Sequence, residues 1–143
     1  MELARILHPR HYDKNRKRFQ STCFRNYGDS ISLIDIDCIR GRVGESGVCA
    51  YISAYYEKAS GEPVVYWILD REYLEQRYGA SFQSSVSSSG DPCHVDLRGL
   101  SNRQAQRFYK ERWASSEIYV CIDNQPTIAD SDRLFELMSN SAQ

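Results

Sequence analysis

The longest apolar run of the sequence is Val64-Val65-Tyr66-Trp67-Ile68-Leu69. Its length is that of a strand, and a strand with no polar side chain is typical of the centre of a sheet that is covered on both faces. The segment Ile118–Ile122 is a second run of this kind. Two such strands predict a sheet with packing layers on both sides.

Other patterns on either side of these runs predict further elements. Residues 31–39 and 93–98 alternate between apolar and polar side chains, which predicts two more strands. Ser101 and Gln104 have the spacing of a capping box, which predicts a helix from there to about Trp113. The remaining predicted elements are helices over 48–58 and 70–78, a weak strand near 80–86 and a last helix beginning at Thr127 or Asp130.

This order of elements predicts a single domain over residues 1–143 of the α+β (mixed α/β) class. We expect one mixed sheet of four to five strands packed with three to four helices. The apolar residues within 1–30 have no regular spacing, so this stretch is expected to form an irregular, basic N-terminal segment. The tail 139–143 is expected to be frayed.

The cysteines predict a compartment. There are five of them at wide spacings, with no CxxC pair. The odd count, the lack of an apolar leader and the lack of the ~20 apolar residues that a membrane helix needs all favour a cytoplasmic protein. In a reducing compartment the cysteines stay as thiols, so reduced cysteines are expected.

Charge is unevenly distributed although the net charge is only −1. Basic side chains concentrate in the first 25 residues and again on the helix that begins at Ser101, where they share one face by the 100° rule. Cations on one surface favour phosphate groups or an acidic partner. The candidate binding residues are Arg10, Lys14, Arg16, Lys17, Arg18, Arg25, Arg103, Arg107 and Lys110.

Three residues are candidates for catalysis. His11 and His94 can serve as an acid–base pair, because imidazole titrates near neutrality, and Arg98 can hold an anion. The segment Gly90-Asp91-Pro92-Cys93-His94 also places His94 on one strand face with Asp96 and Arg98. A zinc site would need His8 and His11 with Cys93-His94, but these fit no known metal motif, so neither a metal nor a cofactor is expected.

Three functions remain open from the sequence. The first is a small cytoplasmic binding or regulatory module that recognises nucleic acid or an acidic protein surface. The second is a metal-independent enzyme that acts on a phosphate-containing substrate with the His11–His94 pair. The third is a subunit of a larger assembly. The sequence has no GxGxxG, Walker or GxSxG pattern, which disfavours nucleotide-driven and serine-hydrolase chemistry, and we expect no membrane partner.

Overall fold

The computed structural model describes residues 1–26, 28–56 and 61–141. The strands are β1 (Leu3–Leu7), β2 (Tyr12–Asp13), β3 (Arg18–Phe19), β4 (Ile31–Asp35), β5 (Val65–Ile68), β6 (Ser81–Ser84), β7 (His94–Arg98), β8 (Ile118–Ile122) and β9 (Gln125–Ile128). The α-helices are α1 (Ile36–Val43), α2 (Val48–Tyr55), α3 (Arg71–Tyr78), α4 (Asn102–Arg112) and α5 (Ser131–Ser141).

Seven of the strands form one antiparallel sheet in the order β6-β7-β4-β1-β5-β8-β9, while β2 and β3 form a separate hairpin. The α+β class is therefore correct. The predicted numbers of elements are wrong, because the described ranges hold nine strands and five α-helices. The predicted mixed sheet is wrong as well, since every pairing is antiparallel.

Both apolar runs form strands, as the sequence predicted, and the run of residues 64–69 lies inside the sheet as expected. Strand β5 lies between β1 and β8, and its central residues are buried. Trp67 packs into the core on one face of the sheet, and Tyr66 packs into the core on the other face. Both faces therefore carry a packing layer, which is why this strand contains no polar residue.

The strand predicted over residues 31–39 ends earlier than expected. Asp35 is the last residue of β4, and its Oδ1 atom accepts a hydrogen bond from the Cys38 backbone N–H at 3.1 Å. This is the N-cap interaction that begins α1. Gly44, with a positive φ of 76°, ends the helix.

The N-terminal segment is less irregular than expected, because residues 1–30 contain β1 near the middle of the sheet and the β2–β3 hairpin. At the other end of the chain, α5 extends to Ser141, so the predicted frayed tail overlaps the helix, and its last two positions lie outside the described residues. In the described part of the chain, no helix is both long and apolar enough to span a membrane.

The predicted reduced cysteines are wrong for four of the five thiols. Cys38 is bonded to Cys93, and Cys49 is bonded to Cys121; Cys23 remains free and buried. Disulfides form and persist in oxidising environments such as the extracellular space, so the predicted cytoplasmic location is also overturned. The two bonds fasten α1 and α2, two helices of eight residues each, to the turn before β7 and to β8 respectively.

Candidate functional site

A pocket of about 680 Å³ opens on the sheet face that carries α1 and α2. Directly opposed residues of neighbouring strands share a face of a sheet. Ser32 is opposite Asp96 and Ile34 is opposite His94, so the side chains of β4 and β7 form the floor of the pocket.

The walls of the pocket come from three other parts of the chain. Tyr55 and Tyr56, at the end of α2, form one wall, and residues 85–89 form another. Arg5 and His8, from β1 and the residue that follows it, complete the lining. We call this site the histidine pocket and define it by its chemically functional lining, namely Arg5, His8, Ser85, His94 and Asp96.

A hydrogen-bond network holds His94 in place. The Ser85 hydroxyl lies 2.9 Å from Asp96 Oδ2 and 3.0 Å from His94 Nδ1. A carboxylate only accepts hydrogen bonds, so Ser85 donates to Asp96 and accepts from Nδ1–H of His94. This arrangement leaves the lone pair of Nε2 available, with Asp96 Oδ1 3.8 Å away from it.

The turn before His94 is built on a buried carboxylate. Asp91 is fully buried and accepts hydrogen bonds from the hydroxyls of Tyr51 and Tyr56 and from the Cys93 backbone N–H. Burial, and the hydrogen bonds to Asp91, raise the pKa of both tyrosines. The Cys38 disulfide adds a covalent link from α1 to the residue before His94. One turn therefore positions both His94 and the tyrosine wall.

Arg5 lies where β1 and β4 diverge. These strands pair only at Leu3–Asp35 and Ala4–Ile34, and beyond those pairs the Arg5 guanidinium replaces backbone hydrogen bonding. Its NH1 atom donates to the carbonyl of Ser32 at 2.8 Å. A fixed positive charge is thus built into the pocket lining.

The structure separates the three predicted catalytic residues. Of these, only His94 lines the histidine pocket. His11 lies outside the pocket, with its ring centroid 6.1 Å from that of His8, and Arg98 is a neighbour of Asp96 at 3.7 Å rather than a lining residue. Burial lowers the pKa of His8 and of His11, and the positive charges of Arg10 and Arg5 lower both further.

Sequence reasoning considered His8 only as a possible zinc ligand, and it missed Arg5 and Ser85 as pocket residues. No local pattern marked these residues, because only the place of β1 in the sheet puts Ile6 and His8 on the face of the pocket floor. Among the described residues, no group of three or more His, Cys, Asp or Glu side chains could hold a metal ion.

The predicted basic residues lie elsewhere, and all nine of them are exposed. Arg103, Arg107 and Lys110 line a shallow depression of about 540 Å³ on the outer side of α4. The helix buries Phe108 on its inner side. Arg16 lies 3.8 Å from Asp13, and the Lys17 ammonium lies 5.0 Å from the centroid of the Phe135 ring.

Comparison of this chain with known protein families, with curated proteins and with solved structures finds no match.

Proposed function

We propose that the protein binds a small phosphate-bearing molecule in the histidine pocket and transfers protons to and from it. The observation that carries this proposal is that His94 lines the same pocket as Arg5 and His8, although it is distant from both in the sequence. Concave sites with a few convergent polar groups are the usual places for ligand binding and catalysis.

The composition of the lining favours an anion with several oxygen acceptors. The Arg5 guanidinium contributes a permanent positive charge, and His8 and His94 contribute imidazole groups. Hydroxyl groups line the opposite wall at Ser85 and at residues 87–89. Arginine, imidazole and hydroxyl donors together match the oxygens of a phosphate ester.

The network around His94 supports a role as general base. With Nδ1–H bonded to Ser85, the Nε2 lone pair can take the proton of an attacking water or hydroxyl. Asp96 then lies beside the positive imidazole, at 3.8 Å from Nε2, and compensates its charge. Ser85 and Asp96 are thus positioning residues that fix the tautomer and orientation of the base.

His8 supplies the complementary proton. In phosphoester cleavage, a new P–O bond forms to the deprotonated nucleophile while the P–O bond to the leaving group breaks. The leaving oxygen takes the proton of the His8 imidazolium. The lowered pKa of His8 makes that imidazolium a stronger acid than a free one. This modifies the pair expected from the sequence, since His8 replaces His11 and Arg5 replaces Arg98 as the anion-binding group.

Hydrolysis of bis(4-nitrophenyl) phosphate, followed by absorbance, tests the proposal. We expect His94→Gln to lower the rate about 10²–10⁴-fold, the usual contribution of a general acid or base. The melting temperature of the His94→Gln variant shows whether its fold is intact, and we expect it to stay close to that of the original protein. His11→Gln is the matched control, since His11 lies outside the pocket, and it should leave the rate unchanged.

Two results would contradict the proposal. One is that the original protein neither hydrolyses the ester nor binds inorganic phosphate in a titration. The other is that His94→Gln and His11→Gln change the rate equally, because the pocket then has no special role.

A further inference from the structure

The structure brings the two basic parts of the sequence together. The Asn26 backbone N–H donates to Asn102 Oδ1 at 2.7 Å, and Gln106 Nε2 donates to the carbonyls of Ser21 and Phe24 at 3.0 and 3.3 Å. Residues 19–26 therefore run beside α4 in the opposite direction. The hydroxyl of Tyr109, which donates to the Phe19 carbonyl, fixes the far end of this contact.

This contact brings exposed cations of both parts to the same side of the protein. Arg25 lies at the end of residues 19–26 that is beside the first turn of α4, and Arg18 lies at the end that is beside Tyr109. Between them the helix presents its own cations across about 10 Å, at 1.5 Å of rise per residue. We define the basic face by five exposed residues, which are Arg18, Arg25, Arg103, Arg107 and Lys110.

Arg112 of α4 pairs with Asp70 at 2.9 Å, but the other three cations of the helix have no ion pair with the described residues. In the described part of the chain, no acidic side chain lies within ion-pair distance of Arg103, Arg107 or Lys110. By contrast, Arg71 on α3 and Arg133 on α5 pair with glutamates of their own helices at 2.5 and 3.2 Å. An unpaired, exposed basic stripe is what a polyanion requires.

Among the described residues, the aromatic rings near these cations decide which polyanion fits. Tyr12, Phe19 and Phe24 are all buried, and so are the rings of Phe108 and Tyr109. No exposed ring among them can stack on an unpaired base, which disfavours single-stranded nucleic acid. They also offer no apolar anchor for an acidic protein, whose interfaces depend on buried aromatic contacts.

We propose that the basic face binds double-stranded nucleic acid through its phosphates and without sequence preference. This inference concerns the sheet side opposite the histidine pocket, because α4 packs on the core that contains Trp67, while the pocket lies on the face that carries α1 and α2. It is therefore independent of the proton-transfer proposal, and either can fail without the other.

Fluorescence anisotropy with a labelled DNA duplex of arbitrary sequence tests the inference. The logarithm of the binding constant should fall linearly with the logarithm of salt concentration, with a slope of about −0.9 per phosphate neutralised. Three to five phosphate contacts give a slope of about −2.7 to −4.5. The binding constant should then fall roughly 40-fold to 500-fold between 50 and 200 mM salt.

The variant R103Q/R107Q/K110Q should weaken duplex binding and flatten that slope by up to about 2.7. Its matched control is R42Q/R77Q/R133Q, which removes the same net charge from exposed arginines outside the basic face. We expect this control to bind nearly as well as the original protein. Because all six positions are exposed, both variants should fold, and melting curves check this.

Four outcomes would overturn the inference. They are no duplex binding at low salt, equal losses in the two triple variants, tighter binding of a single strand than of the duplex, and tighter binding of polyglutamate than of the duplex. The last of these would assign the basic face to an acidic protein instead.

Discussion

Removing one hydroxyl from the turn that supports the histidine pocket tests how that site is held. The Tyr51 hydroxyl donates to buried Asp91 at 2.6 Å. Tyr51→Phe keeps the ring and deletes this bond to a charged group, a type of bond that contributes about 1.5–3 kcal/mol. Asp91 keeps its bonds from Tyr56 and from the Cys93 N–H, so we expect the lower part of this range, about 2 kcal/mol.

This free energy translates into a measurable shift. Unfolding entropy is about 2.1 cal/mol/K per residue, or about 0.3 kcal/mol/K for this chain, so the melting temperature should fall by about 7 °C. Calorimetry with the disulfides intact measures it. The control is Tyr119→Phe, whose hydroxyl bonds exposed Glu117 at 3.1 Å and should change stability by no more than about 0.5 kcal/mol. Equal shifts for the two variants would refute the argument that the buried carboxylate is the source of the stabilisation.

Three further perturbations have expected outcomes. Replacing Cys38 and Cys93 together by Ala should lower the free energy of unfolding by up to about 4 kcal/mol, because their bond closes a loop with a sequence separation of 55. Denaturant titration measures this difference, and an unchanged free energy would mean that the bond does not form in solution. Phe108→Ala should lower the free energy of unfolding by about 3–5 kcal/mol, because the ring is fully buried. Arg107 is exposed, so Arg107→Ala should lower it by about 0.5 kcal/mol or less. Similar losses of stability in thermal melts would mean that the faces of α4 are wrongly assigned. Sulfate keeps its charge between pH 5 and 8, so a change in its affinity for the histidine pocket reports on the protein. The pKa of His8 is lowered, so this affinity should rise as the pH falls below about 6.5 and His8 takes up a proton. Calorimetric titration of the His8→Gln variant with sulfate should show a weaker rise in affinity. An identical pH profile would mean that His8 does not contact the anion.

The elements with strong local signals could be predicted from the sequence. The capping box at Ser101 is present as both of its hydrogen bonds, at 3.2 and 2.9 Å, and α4 begins there. The apolar run of β5 was assigned to the centre of the sheet because packing on both faces leaves no place for a polar side chain. In these segments the local pattern and the tertiary environment agree.

Other strands were missed because their pattern is interrupted. Strand β1 carries Arg5 among apolar residues, and only the divergence of β1 from β4 gives that charge a place. Strand β9 contains Pro126, which is tolerated because β9 is an edge strand. Its signal was present in the two-residue loop of Asp123 and Asn124, whose φ values of 51° and 62° match the type I′ hairpin turn.

The histidine pocket depends on contacts between parts of the chain that no local pattern relates. His8 follows β1 and His94 begins β7, two strands that are separated by β4 in the sheet. Their approach is fixed by strand order, which the sequence left undecided. The disulfides were missed for a similar reason, since the sequence separations of 55 and 72 become Cα distances of 5.6 and 5.9 Å only after the sheet is assembled.

Arg5 connects the two proposed sites through one side chain. Its Nε donates to the carbonyl of Cys23 at 3.1 Å, in the short 3-10 turn Ser21–Cys23 that also accepts a hydrogen bond from Gln106 of α4. Its NH1 donates to the carbonyl of Ser32, and both Ser32 and Arg5 line the histidine pocket. The guanidinium thus lies between the segment that supports the basic face and the floor of the pocket.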